Sequence, residues 1–214
     1  ADVEGEYPGQ LKNIPLCRQT AAEALADARI HFGRVDRDRF GCSIGGHMGD
    51  VDFVTERLGL ASLLPVGKPP WWQQWLPSTA CSLVANDYRL DGPRLCNSTA
   101  CATGTIAVLK AVRAIQDDQC DLALAGSSEA IHPLFAAGFY NMGVLADHVD
   151  PTLACRPFDA DRDGFVMGEG AAMFVLESLE HARQRGAAIY AEIAGGRILN
   201  DARHVTSLDA NSDA

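Results

Sequence analysis

Hydrophobic and polar positions alternate along this chain between helix-like and strand-like patterns. Residues 20–30 are alanine-rich with an apolar face, which predicts a helix, and residues 40–44 form a short apolar run that predicts a strand. Gly45-Gly46 follows that run and lets the backbone either turn tightly or approach another segment closely. The same reasoning predicts, in chain order, a helix over 78–88, strands over 121–126 and 171–176, a helix over 179–185 that Ser178 caps and Gly186 ends, and a strand over 189–194. Strands that alternate with helices predict an α/β fold.

The segment NSTACATG, residues 97–104, places Cys101 among small residues where an apolar run ends and a helix starts. Apolar residues at helical spacing follow it, namely Ile106, Leu109, Val112 and Ile115. Unpaired backbone N–H groups and the helix dipole favour a thiolate at such a position. Cys101 is therefore a candidate nucleophile, and a small buried hydrophobic cysteine is the alternative interpretation.

Composition limits the classes of binding partner and the cellular compartment that we expect for this chain. The 214 residues are 47% hydrophobic, enough for a substantial core in one large domain or two small ones. No apolar run approaches the ~20 residues of a membrane-spanning helix, and a net charge of −10 disfavours nucleic acid, so we expect neither partner. The seven cysteines form no CxxC pair, which predicts a reducing cytoplasm and no structural zinc. The basic cluster Arg29, Arg34, Arg37 and Arg39 is either a solvated face or a surface for an acidic partner.

Residues 156–170 begin like a calcium loop but do not complete one. Asp159, Asp161 and Asp163 have the required spacing, whereas the twelfth position of the loop is Gly170 rather than an acid. We therefore expect no metal here, and instead a glycine-rich loop whose acids pair with Arg156 or Arg162.

Other polar candidates are weaker. Ser127 and Ser128 lack the flanking glycines of a serine nucleophile and are predicted to be turn residues. A cysteine nucleophile needs a base, and His132 and His204 are the two histidines that we consider near a pocket. Three tryptophans in residues 63–77 either pack internally or wall a pocket or an interface.

Five segments together resemble the β-ketoacyl synthases of the thiolase superfamily, in their order as well as in sequence. They are GP-x₃-NSTACATG from Gly92, AGSSEA at 125–130, PLFAAGF at 133–139, RPFDADRDGFVMGEGA at 156–171 and DARHVTS at 201–207. The resemblance implies a thiolase-like fold, layered αβαβα when complete, with a mixed sheet and helices. We assign residues 1–19 to an irregular lead-in and 20–214 to a synthase N-terminal domain whose C-terminal half is absent.

The resemblance also implies a chemistry. Cys101 corresponds to the cysteine that accepts an acyl group from an acyl-carrier-protein thioester, and its own N–H would help to form the oxyanion hole. Decarboxylation of a malonyl thioester then yields a carbanion that attacks the acyl-enzyme, as in fatty-acid or polyketide synthesis. Phe139 would line the acyl pocket, and Thr206 would lie near the pantetheine or malonyl group. No cofactor is implied beyond the phosphopantetheine of the carrier protein.

The family further implies a homodimer that buries part of residues 94–116. Its two catalytic histidines stand in HGTGT and NSFGH contexts that do not occur in these 214 residues, so we expect this chain alone to be inactive in condensation. Two other functions stay open. One is a catalytically silent half that supplies pocket and dimer contacts, and the other is a cysteine-dependent acyltransferase or thioesterase that pairs Cys101 with His132 or His204.

Overall fold

The fold was examined in a computed structural model, which describes residues 12–46, 76–131 and 133–204. Strands and helices follow one another along the chain, as the hydrophobic pattern predicts. In order they are α1 Asn13–Asp27, β1 Phe40–Gly46, α2 Thr79–Tyr88, β2 Arg94–Leu95, α3 Thr103–Gln116, β3 Leu122–Glu129, α4 Pro133–Asn141, β4 Gly170–Glu177 and α5 Leu179–Gln184. Short 3₁₀ turns occupy Ala100–Ala102 and Pro151–Leu153.

The four strands form one mixed sheet in the order β2-β1-β3-β4. β1 runs parallel to β2 and β3, whereas β4 is antiparallel to β3. Parallel strands need crossover connections, and helices on the faces of the sheet supply them here. The predicted mixed sheet with helices is therefore confirmed.

Alternation along β3 divides the core between the two faces of the sheet. Leu122 and Leu124 belong to the larger cluster, which α1 and α2 cover. Ala123 and Ala125 belong to a smaller cluster beneath α3. The described part of the fold thus has three layers, with α1 and α2 on one face and α3 on the other.

Three local predictions differ from the structure. α1 begins at Asn13, inside the segment expected to be irregular, because Ile14 and Cys17 already face the core. Ser127 and Ser128 extend β3 instead of forming a turn, and they pair in register with Gly45 and Gly46 of β1.

The strand predicted over residues 189–194 is absent, and residues 187–200 carry no regular secondary structure. Apolar alternation alone does not make a strand, which also needs a neighbouring strand to bond. Ile189 and Tyr190 remain exposed, with the Tyr190 hydroxyl donating to Asp27. No helix in the described ranges has the length and apolar content that a membrane crossing requires.

A buried carboxylate joins β4 to two helices. Glu177 accepts hydrogen bonds from His181 and Arg185 of the α5 region, and its side chain is only 7% exposed. Arg185 also donates to the carbonyl of Ala28, at the end of α1, over 2.8 Å. Burial opposes ionisation of Glu177, but the bonds from Arg185 and His181 outweigh it and hold the pKa of the carboxyl below its usual value.

We predict that Glu177→Gln lowers the free energy of unfolding at pH 7 by about 2 kcal/mol, because charge-assisted hydrogen bonds are lost. A depressed pKa in the folded state stabilises the fold above the unfolded value of about 4.3, and this contribution disappears as pH falls below it. Urea unfolding of variant and wild type from pH 7 to pH 3 measures both effects. Glu180→Gln, on the exposed face of α5, is the matched control, and an equal loss in the two variants would contradict the prediction.

Candidate active site

Cys101 lies in the 3₁₀ turn Ala100–Ala102, directly before the first residue of α3. Cys101 is exposed, so the alternative interpretation of a buried hydrophobic cysteine does not hold. The N-cap residue of α3 is Ala102, which has no side-chain oxygen to accept from the first helical turn. The thiol therefore sits at a helix start that no side chain caps, as the sequence predicts.

The start of α3 rests on the carboxyl ends of two parallel strands. A Cβ at Gly45 of β1 would collide with the Thr103 methyl, and a Cβ at Gly104 would approach Ser127 Oγ of β3 to 2.7 Å. Both glycines thus permit a backbone approach that alanine would block. Open α/β sheets commonly bind ligands at the carboxyl ends of their strands, which is where Cys101 stands.

Small residues continue this contact along α3. Its buried residues are Thr103, Ala107, Ala111 and Ala114, whereas the larger apolar residues are only partly buried. The Ser43 hydroxyl of β1 donates to the Ala107 carbonyl over 2.7 Å. The predicted helix is confirmed, and it is the alanine stripe that faces the sheet.

Hydrogen bonds join residues on both sides of Cys101 in the segment 97–103. The Asn97 amide nitrogen donates to Thr99 Oγ1 over 3.0 Å and to the Thr103 carbonyl over 3.1 Å. The Thr99 N–H donates to Thr103 Oγ1 over 2.8 Å. Between these anchors Ala100 adopts a φ of +47°, a conformation that L-residues with a Cβ seldom adopt.

The other cysteines are poorer nucleophile candidates, with one exception. Cys17, Cys42, Cys81 and Cys120 are buried, and burial raises the pKa of the Cys17 thiol to about 12. Cys96 is partly buried, and burial raises the pKa of its thiol as well. Cys155 is exposed like Cys101 and serves as a natural comparison. All seven cysteines are free thiols.

Two of the described histidines, His148 and His181, use their side-chain bonds away from Cys101. His148 bonds through Nδ1 to the backbone of Asp150, and His181 bonds to Glu177. His204 is exposed in the chain that follows α5, whereas His132 lies outside the described residues. The pairing of Cys101 with either histidine stays a prediction.

Phe139 packs against the glycine-rich loop. Its ring meets the Phe165 ring edge-on, with the centroids 5.3 Å apart and the planes at 80°. Phe165 pairs with the segment after α4 through its N–H to the Val144 carbonyl, and a Cβ at Gly164 would clash with Leu145 there. Phe139 is therefore fixed by this loop, and Thr206 lies outside the described residues.

Two arginines of the glycine-rich loop bond within the loop, whereas its Glu169 pairs with Lys12. Arg156 pairs with Asp163 at 3.7 Å and donates to the Asp161 carbonyl, while Arg162 donates to the Asp159 carbonyl. The predicted pairing of the acids with Arg156 or Arg162 is therefore found for Asp163, whereas the bonds to Asp159 and Asp161 end on their backbone carbonyls. Within the described ranges no three His, Cys, Asp or Glu side chains gather as a metal site.

The basic cluster does not form one surface. Arg37 stacks over Phe32 at 4.9 Å and donates to the Tyr88 carbonyl. Arg39 makes a two-pronged contact with Asp121, at 2.8 Å for each bond, and this holds the pKa of the Asp121 carboxyl below its usual value. These two arginines stabilise the fold, which leaves Arg29 and Arg34 as its exposed members.

Sequence reasoning missed the residues that support the thiol. Asn97 and Thr103 lie inside the recognised motif, but no periodicity in the sequence indicates the hydrogen bond between them. Lys110, whose ammonium donates to the Cys96 carbonyl over 3.2 Å, reads as an ordinary surface lysine of a helix. Only Gly45 was indicated by the sequence, as a glycine for a tight turn or a close approach, and the structure shows the close approach.

Comparison with known proteins identifies the domain. The family model described as "Beta-ketoacyl synthase, N-terminal domain" matches residues 13–182. The 3-oxoacyl-[acyl-carrier-protein] synthase 2 of Staphylococcus aureus is 38% identical over 192 residues, which are 87% of this chain and 47% of that protein. The chain thus spans about half the length of the curated relatives that it matches.

Solved structures agree with this. A β-ketoacyl synthase from Burkholderia phymatum superposes with a TM-score of 0.87 at 33% identity, over 99% of this chain and 53% of its own. A type II polyketide ketosynthase, solved with its acyl-carrier protein and a bound hexaketide, gives a TM-score of 0.84 at 33% identity. That match covers 95% of this chain and 52% of the other. The thiolase-like fold is confirmed.

Proposed function

Because this chain belongs to the β-ketoacyl synthase family, we propose that its Cys101 is the acyl acceptor of a synthase of fatty-acid or polyketide synthesis. The observation that carries the proposal is the exposed Cys101 thiol at the start of α3, inside the segment NSTACATG. Exposure leaves this sulfur open to an incoming thioester.

The reaction starts with an acyl thioester on the phosphopantetheine of an acyl-carrier protein. The Cys101 sulfur attacks the thioester carbonyl, the bond to the pantetheine sulfur breaks, and the released thiolate takes a proton from solvent. The N–H of Cys101 is the proposed donor to the oxyanion that forms on the way. Similarity to a ketosynthase solved with its carrier protein supports this choice of partner.

Condensation follows on the acyl-enzyme. A malonyl thioester loses carbon dioxide, its carbanion attacks the acyl carbonyl, and the Cys101 thiolate leaves as the β-ketoacyl product forms. Phe139 is assigned to the acyl pocket and Thr206 to the malonyl or pantetheine group. No HGTGT or NSFGH segment occurs in these 214 residues, so the proposal for this chain by itself stops at acylation. Seven free thiols support a cytoplasmic location.

We predict that a short-chain acyl-pantetheine thioester transfers one acyl group to Cys101, because this thiol is both exposed and at a helix start. Intact-protein and peptide mass spectrometry measure the adduct. Cys101→Ser should abolish it, and Cys155→Ser, which removes the other exposed thiol, should leave it intact.

Other outcomes of the same experiment decide between the alternatives. Continuous release of free acid would indicate a thioesterase, and absence of any adduct would indicate a catalytically silent half. An adduct that survives in Cys101→Ser would contradict the assignment of the nucleophile.

A homodimer is part of the proposal. β2 is the outer strand of the described sheet, bonded to β1 on one side, and an edge strand can pair with another chain. The second copy is assigned to residues 94–116, which include β2 and α3.

We predict that sedimentation velocity at micromolar concentrations gives the mass of two chains, because an edge next to a partly apolar helix favours association. The mass measured after dilution to nanomolar concentrations is the matched comparison. A single species with the mass of one chain, 22.9 kDa, throughout the micromolar range would contradict the prediction.

A further inference from the structure

Asn97 occupies an unusual position for an asparagine. Its amide nitrogen makes two hydrogen bonds, whereas its Oδ1 is buried and has no hydrogen-bond partner within the described residues. An unpaired buried acceptor costs stability, so this side chain is not optimised for stability alone. The orientation of the amide is fixed, because the Thr103 carbonyl can only accept and must face the NH₂ group.

The two side-chain hydrogen bonds of Asn97 end on residues that flank Cys101 in the sequence. One bond ends on Thr99, two residues before the thiol, and the other on Thr103, two residues after it. The Thr99 N–H also donates to Thr103 Oγ1, so both ends of the segment are tied together.

The same residue anchors this segment to the sheet. The Asn97 carbonyl accepts from the Gly46 N–H, at the end of β1, over 3.3 Å. Asn97 therefore connects the last residue of β1, which its backbone carbonyl bonds, with the turn that carries the thiol, which its side-chain amide bonds.

The turn needs such support because of its backbone. Ala100 has a φ of +47°, and an alanine leaves this conformation unless its neighbours hold it. If Ala100 relaxed, the peptide before Cys101 would rotate, and both the thiol and its N–H would move.

We propose that Asn97 is a positioning residue, which acts through Thr99 and Thr103 to hold Cys101 in place for acyl transfer. The inference rests on the proposed role of Cys101 as acyl acceptor. Asn97 does not touch the acyl group in this scheme, and its effect is confined to the placement of the thiol.

The test compares four variants with wild type in single-turnover acylation by a short-chain acyl-pantetheine thioester. Asn97→Ala removes both amide bonds, and Thr103→Val removes the hydroxyl that accepts from Thr99. Thr103→Ser keeps that hydroxyl and is the conservative variant. Gln116→Ala removes an exposed carboxamide at the other end of α3 and is the control.

Asn97→Ala and Thr103→Val should lower the saturating first-order rate constant about tenfold, since misplaced reacting groups lose rate. The half-saturating thioester concentration and the final fraction of protein acylated should stay unchanged. Thr103→Ser and Gln116→Ala should keep the wild-type rate constant. A merely structural role would instead lower the fraction acylated, because part of the protein would be misfolded.

A second measurement does not depend on acyl transfer. Hydrogen exchange at the Thr99 amide should become at least about fivefold faster in Asn97→Ala and in Thr103→Val, as expected when a hydrogen bond of ordinary strength is lost or loosened. Thermal unfolding midpoints show whether each variant is folded.

Each outcome decides the inference. If wild type is acylated and Asn97→Ala matches its rate constant, the positioning role is overturned. If wild type takes no acyl group, the proposed function fails, and unchanged exchange at Thr99 in Asn97→Ala overturns the positioning role separately. Faster exchange together with a slower rate constant at full final acylation supports it.

Discussion

The close approach of α3 to the ends of β1 and β3 is the constraint on which the candidate site depends. At Gly45 there is no room for a Cβ beside the Thr103 methyl, and at Gly104 there is little room beside Ser127. Larger side chains at these positions would push the helix start away from the sheet. Cys101 would move with it, because only Ala102 separates it from the first residue of the helix.

Polar contacts act on the same region. The Ser43 hydroxyl bonds to the α3 backbone at Ala107, and the Asn97 carbonyl accepts from Gly46. These bonds join residues far apart in the chain through one strand of the core, so folding of β1 also places the candidate nucleophile. Stability of the sheet and geometry of the site are therefore two consequences of one packing arrangement.

The sequence predicted much of this fold, and the limits have physical reasons. β1, β3, β4 and α5 followed from periodicity and caps, since these signals are local. The strand expected over 189–194 failed because its alternation could not show whether a partner strand was present. The role of Cys101 as a candidate came from its motif. The bonds of Asn97, in contrast, occur around Ala100, whose positive φ no local sequence pattern predicts.

A double-mutant cycle between Gly45→Ala and Thr103→Ser tests the close packing most directly. Gly45 does not have a positive φ, so Gly45→Ala adds mainly a steric contact, and Thr103→Ser removes the methyl it would strike while keeping the hydroxyl. Urea unfolding should show a loss of about 1–3 kcal/mol for Gly45→Ala alone, with part of it recovered in the double variant, because the carbonyl oxygens of Asn97 and Thr103 still lie 3.2 and 3.3 Å from the added Cβ. If the loss is the same in both backgrounds, within about 0.5 kcal/mol, the helix start does not rest on Gly45 as described.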